Sequence, residues 1–134
     1  NEYYAFEKKL PVLAVGRNFL VSHAEPQRLC TKDEVIEYQK NPAVIYALTW
    51  TADNAAEKGS VIQMLKHYLK PVELDNAVYF GGHRPVLGRY NLRADGRYVQ
   101  LHNPARHIIA FIRPEEPIDL EKDIIELKPE THLL

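Results

Sequence analysis

The stretch Asn76-Ala77-Val78-Tyr79-Phe80-Gly81-Gly82-His83-Arg84-Pro85 constrains the fold more than any other part of the chain. Ala77 to Phe80 is a run of apolar β-formers bounded by turn residues, which predicts a short buried strand. Two glycines at its C-terminal end let the backbone bend sharply and approach another group closely. His83 is thereby delivered to the end of a strand, where α/β sheets carry their sites. Read alone, Gly81-Gly82 is a turn and His83 a surface residue. A second segment of the same construction, Asn18-Phe19-Leu20-Val21-Ser22-His23-Ala24-Glu25-Pro26, shifts that reading. There too an apolar strand ends on a histidine, followed by a small residue and soon by a proline that cannot continue a central strand. Two strands of one sheet, each ending on an imidazole, can present both rings to one cation. Imidazole suits zinc, manganese or iron, with carboxylates completing the shell.

The rest of the chain bounds what such a site can serve. At 134 residues, with 46% hydrophobic and 26% charged side chains, it is of single-domain size and able to bury a core. A net charge of -1 argues against general nucleic-acid binding and against a membrane-surface helix, both of which need a concentrated basic face. No apolar run reaches the roughly 18 residues of a membrane span. The lone Cys30 has no disulfide partner within the chain, which favours a reducing, cytoplasmic setting. Without an identified base it reads as structural rather than nucleophilic. The chain opens at Asn1 rather than methionine, and the expectation is a trimmed or partial protein.

In order, Glu2 to Leu10 carries Tyr3, Phe6 and Leu10 at helical spacing ahead of Pro11. Val12 to Val15 and Phe19 to Val21 flank a turn, as a hairpin would. Thr31-Lys32-Asp33-Glu34 has the form of a capping box and predicts a helix from Lys32 to Lys40, closed by Asn41-Pro42. Val44 to Trp50 is rich in β-formers and reads as a strand or extended segment. Trp50 reads as a packing residue, with a wall for a site as the other use. Asn54 with Glu57, or Ser60 with Gln63, can cap the helix whose stripe Val61, Met64, Leu65, Tyr68, Leu69 faces a core; His67, off the stripe, reads as solvated. Later come β-rich runs at 86–92, 98–101 and 107–113, the first two joined by an Asp95-Gly96 hairpin turn. Pro114 to Pro117 is a polar linker, and one edge strand is expected within Ile118 to Leu127. The pattern is mixed α/β, with helices first and an antiparallel sheet last.

These ordered segments resemble the C-terminal half of the calcineurin-like metallophosphoesterases, most nearly the serine/threonine phosphatase type. The residues that carry the resemblance are Phe6 to Pro11, Phe19 to Ala24, Leu48-Thr49-Trp50-Thr51, the helix ending near Leu69, Val78 to Pro85 and Tyr98 to Leu101. It implies half of a β-sandwich flanked by helices over residues 1–113, with 114–134 as C-terminal linker and edge strand. It implies a metal-dependent phosphatase acting on phosphomonoesters of phosphoprotein type. Two divalent metal ions, manganese or else iron or zinc, would lie near 4 Å apart, lower the pKa of a bridging water and bind phosphate oxygens. His23 and His83 match the late metal-ligand motifs. Arg84 and His102 are substrate-binding candidates, with His102 also a candidate third ligand. The family's Asp-x-His, Gly-Asp-x-x-Asp and Gly-Asn-His motifs occur nowhere in this sequence. The bridging aspartate and the general acid are therefore expected from an N-terminal half of the same domain, a partner alongside the phosphorylated substrate. The alternatives are a hydrolase of nucleotides or dinucleoside polyphosphates on the same fold, and a non-catalytic protein-interaction module.

Overall fold

A computed structural model describes residues 12–52, 54–113 and 115–128. The helix expected over Glu2 to Leu10 lies outside them. Among the described residues, seven strands and four α-helices follow one another: β1 (Leu13–Val15), β2 (Phe19–Ser22), α1 (Lys32–Ile36), α2 (Pro42–Thr49), α3 (Ser60–Tyr68), β3 (Val78–Gly81), β4 (Asn91–Arg93), β5 (Tyr98–Gln100), β6 (Ile108–Ala110), α4 (Leu120–Asp123) and β7 (Ile124–Glu126). The fold is mixed α/β, as expected.

Five strands form one sheet in the order β1-β2-β3-β5-β4, and β6 and β7 form a second sheet. The three central strands are parallel: Leu20 lies opposite Tyr79, and Phe80 opposite Val99. This corrects the antiparallel sheet expected from the sequence. Strands β2 and β3 are joined by a helical crossover that contains α1, α2 and α3, and a crossover of that length returns the chain parallel. The two predicted hairpins, β1 with β2 and β4 with β5, supply the antiparallel edges.

Alternation along the strands sorts their side chains onto two faces. Leu20, Tyr79 and Tyr98 meet Val44, Leu48, Val61, Met64 and Leu65 of the helices in one cluster. Val78, Phe80 and Val99 form the other cluster with Ile124, packed by Ile108 and Ala110 of the second sheet. Both faces are covered, so the central strands read as continuous apolar runs rather than alternating ones.

The segment Val44 to Trp50, expected as a strand, is helix α2. Pro42 suits a first helical turn, where its missing N–H costs nothing. Val44, Ala47 and Leu48 are buried at the i, i+3, i+4 spacing of one helical face, and that burial outweighs the β-preference of Val44, Ile45 and Tyr46. The Thr31–Glu34 capping box forms as predicted. Its helix ends at Ile36 rather than Lys40 and is followed by a 3₁₀ turn over Tyr38–Lys40, while Asn41, the residue before Pro42, is held out of α geometry. Helix α3 carries the predicted stripe, but neither expected cap closes it. Gly59, at φ 83°, occupies the cap position, and the Ser60 hydroxyl donates instead to the Pro26 carbonyl at 2.7 Å. His67 is not merely solvated: its Nε2 accepts the Lys32 amide at 3.0 Å.

Of the run at 86–92 only its end joins a strand, β4. The tail places a short helix ahead of its strand, β7, which pairs with β6. Asp123, buried there, accepts from Arg113 at 2.7 Å and from the Asp119 amide at 2.9 Å. Cys30 is buried and free, and burial pushes its thiol pKa up. Among the described residues no helix is long and apolar enough to cross a membrane.

Candidate functional site

The site stands at the C-terminal ends of the three parallel strands. Strand β2 ends at Ser22, whose hydroxyl donates to the Ala24 carbonyl at 2.6 Å and shares a hydrogen bond with the Tyr79 hydroxyl at 2.7 Å. His23 follows at the turn. The chain beyond it is fastened to the end of α2: the Ala24 amide donates to the Leu48 carbonyl at 3.0 Å, and the Gln27 amide to the Ala47 carbonyl at 2.9 Å. These bonds satisfy carbonyls that the helix end would leave unpaired. Glu25 is engaged by Arg93 at 2.8 Å, which ties the same loop to β4.

Strand β3 ends at Gly81. A methyl group there would overlap the Tyr98 hydroxyl and lie 2.8 Å from its Cζ, so only glycine fits against this buried ring. The Gly82 amide donates to the His23 carbonyl at 2.8 Å, binding one strand end to the other. His83 then takes φ 67°, in the left-handed region, and the Arg84 amide closes a three-residue turn onto the Gly82 carbonyl at 2.8 Å. A left-handed non-glycine residue is costly, and such strain gathers at functional sites.

This turn brings the His83 ring to 5.4 Å from that of His23, centroid to centroid. Trp50, the residue that ends α2, packs its indole at a right angle to the His83 ring, with 5.7 Å between centroids. It is 57% exposed, so it is not the core packing residue expected, and it does not line the cavity beside His83. His102, two residues past β5, joins the group: a methyl on Gly82 would lie 3.5 Å from its Cβ. The His23 pKa is lowered by partial burial first, then by the nearby His83 and His102. That favours the neutral imidazole, the form that ligates metals.

His23, His83 and His102 share a cavity of about 570 Å³ with Arg106 and His107. Of the sequence candidates, then, His23, His83 and His102 come together. Arg84 is exposed and does not line this cavity. Arg106 does, although its guanidinium is held by Glu126 at 2.7 Å. His107 was missed by sequence reasoning. It precedes an apolar strand instead of following one, and only the pairing of β6 with β7 brings that strand's start to the site.

As a metal centre the arrangement is partial. Two imidazoles supply half of a four-coordinate shell. Among the described residues no group of three or more His, Cys, Asp or Glu side chains is arranged to hold a metal ion. No family model, curated protein or solved structure matches the chain.

Proposed function

We propose that this chain supplies the histidine part of a metal-dependent phosphatase site of the calcineurin-like metallophosphoesterase type, acting on phosphomonoesters. One observation carries the reading: two imidazoles at the ends of adjacent parallel strands, 5.4 Å apart, with the strand ends bonded to each other. His23 and His83 would hold one ion of a divalent pair, manganese first, through neutral imidazole nitrogens. When bound, such a pair supplies Lewis acidity and an activated water.

The chain's own residues do the positioning. The strained turn at His83 sets the direction of that ring, and the Trp50 indole packs against it at a right angle. His102 would donate a hydrogen bond to a phosphate oxygen. The bridging carboxylate, the remaining ligands and the general acid would come from an N-terminal half acting as partner.

Zinc titration against a chromophoric competitor tests the ligand assignment on wild type, His23→Ala and His83→Ala. A saturable site weakened at least tenfold in each variant is expected; equal affinity in all three refutes the assignment. In a preparation that also contains the aspartate motifs, manganese-dependent hydrolysis of a phosphomonoester should be lost in His83→Ala. The lack of a three-ligand group among the described residues favours a second reading, a protein-interaction module without catalysis. A wild-type chain that takes up no metal in either preparation would favour it.

A further inference from the structure

The cavity shared by the histidines has two chemically different sides. One is the crown of His23, His83 and His102, all hydrogen-bond donors when protonated on the ring nitrogen that faces in. The other is apolar: Val21, Phe80 and Leu101 come from the five-stranded sheet, and Ile108 and Leu127 from the ends of the two-stranded one. No described carboxylate lines the space. Glu126, outside the lining, pairs with Arg106 at 2.7 Å.

A phosphate group alone would cover the imidazoles and leave the apolar wall wet. A volume of about 570 Å³ is that of a pocket for a whole small molecule. The apolar lining comes from both sheets, which pack on each other in one hydrophobic cluster. An apolar group laid against that lining removes apolar surface from water on the ligand and on the protein.

We infer that the cavity takes a phosphate ester of an apolar, ring-sized alcohol, with the phosphate against the imidazoles and the apolar part against Leu101, Ile108 and Leu127. This rests on the reading of the site as one for phosphate esters, and adds the class of leaving group. An ester whose alcohol is short and polar gains nothing from the wall, so the site discriminates by the alcohol rather than by the phosphate.

The test is an NMR titration of the imidazole Cε1–H resonances of the 134-residue chain, without and with zinc. The probes are inorganic phosphate, methyl phosphate and phenyl phosphate. Phenyl phosphate is expected to bind at least tenfold more tightly than methyl phosphate. Leu127 lies just beyond β7, and the hydrogen bond its backbone N–H donates to the His107 carbonyl does not depend on the side chain removed in Leu127→Ala. That variant should keep methyl phosphate affinity and lose at least threefold of the phenyl preference. Equal affinities for the two esters, or an undiminished preference in the variant, overturn the apolar-alcohol assignment and leave a phosphate site standing. If none of the three probes moves an imidazole resonance, with or without zinc, the apolar-alcohol assignment and the phosphate-ester reading fall together.

Discussion

His83 should reverse the usual stability order of alanine and glycine. Both His83→Ala and His83→Gly remove the imidazole and its contacts with His23 and Trp50, so their difference isolates a single Cβ. In an ordinary backbone conformation Gly→Ala stabilises by about 0.4–1 kcal/mol, because alanine has less freedom to lose on folding. At φ 67° the Cβ meets the neighbouring carbonyl, a cost of about 1–2 kcal/mol. Subtracting the first from the second leaves the glycine variant more stable by about 0.5–1 kcal/mol. With a urea slope of about 2 kcal/mol/M, its midpoint should lie about 0.3–0.5 M above that of the alanine variant. His83→Asn should fall between them, since asparagine tolerates this region. The measurement is urea denaturation followed by far-UV circular dichroism, with equal slopes confirming that only stability has changed. An alanine variant as stable as the glycine one, or more so, would mean that the turn is not left-handed and that the ring is not held by strain.

Three further outcomes are expected. Gly81→Ala forces a methyl into the Tyr98 ring at the centre of the sheet and should cost about 1–3 kcal/mol; in a thermal melt, a midpoint unchanged from wild type would contradict the close approach. The lowered His23 pKa means that the unfolded chain takes up its proton first as pH falls. In metal-free protein, this contribution is present above the ordinary value of 6.5 and is lost as pH drops through it toward the lower folded value. The slope of stability between pH 7 and 5.5 should therefore shrink in His23→Gln, and an identical slope would count against the lowered pKa, whose first cause is burial of the ring. Cys30, buried with a raised pKa, should react with iodoacetamide at pH 8 only at the rate of unfolding, so rapid labelling in native buffer would show that the thiol is accessible.

The strand ends were the most legible part of the sequence. Phe19–Ser22 and Val78–Gly81 are short runs of β-formers that terminate on features no strand continues through, and both histidines follow from that alone. What the sequence could not convey was who pairs with whom. The parallel pairing of β2 with β3 depends on the helices between them, and one of those helices was itself disguised: Val44, Ile45, Tyr46 and Trp50 have strand-forming side chains, and only burial of Val44, Ala47 and Leu48 on one side makes α2 a helix. Trp50 was misjudged for the same reason, since its position beside His83 follows from where that helix ends. Caps were legible where they are local, as at Thr31. They were not where a distant carbonyl competes, as Pro26 does for Ser60. Arg84 neighbours His83 in sequence yet stays outside the cavity, because the turn that presents one side chain carries the next one outward.

The two hydrogen bonds from α2 to the loop after His23, and the seat of Trp50 at its end, make one eight-residue helix the ruler for the imidazole gap. Each helical residue advances about 1.5 Å and rotates about 100°. Deleting a single residue within 42–47 would swing the carbonyls of Ala47 and Leu48 away from the amides of Gln27 and Ala24 and carry the indole off His83 in the same stroke. A segment with no ionisable group beyond one tyrosine hydroxyl thus has less tolerance for a change of length than the Arg84–Tyr90 loop that adjoins the chemistry, and insertion scanning should find the site's most sensitive positions there.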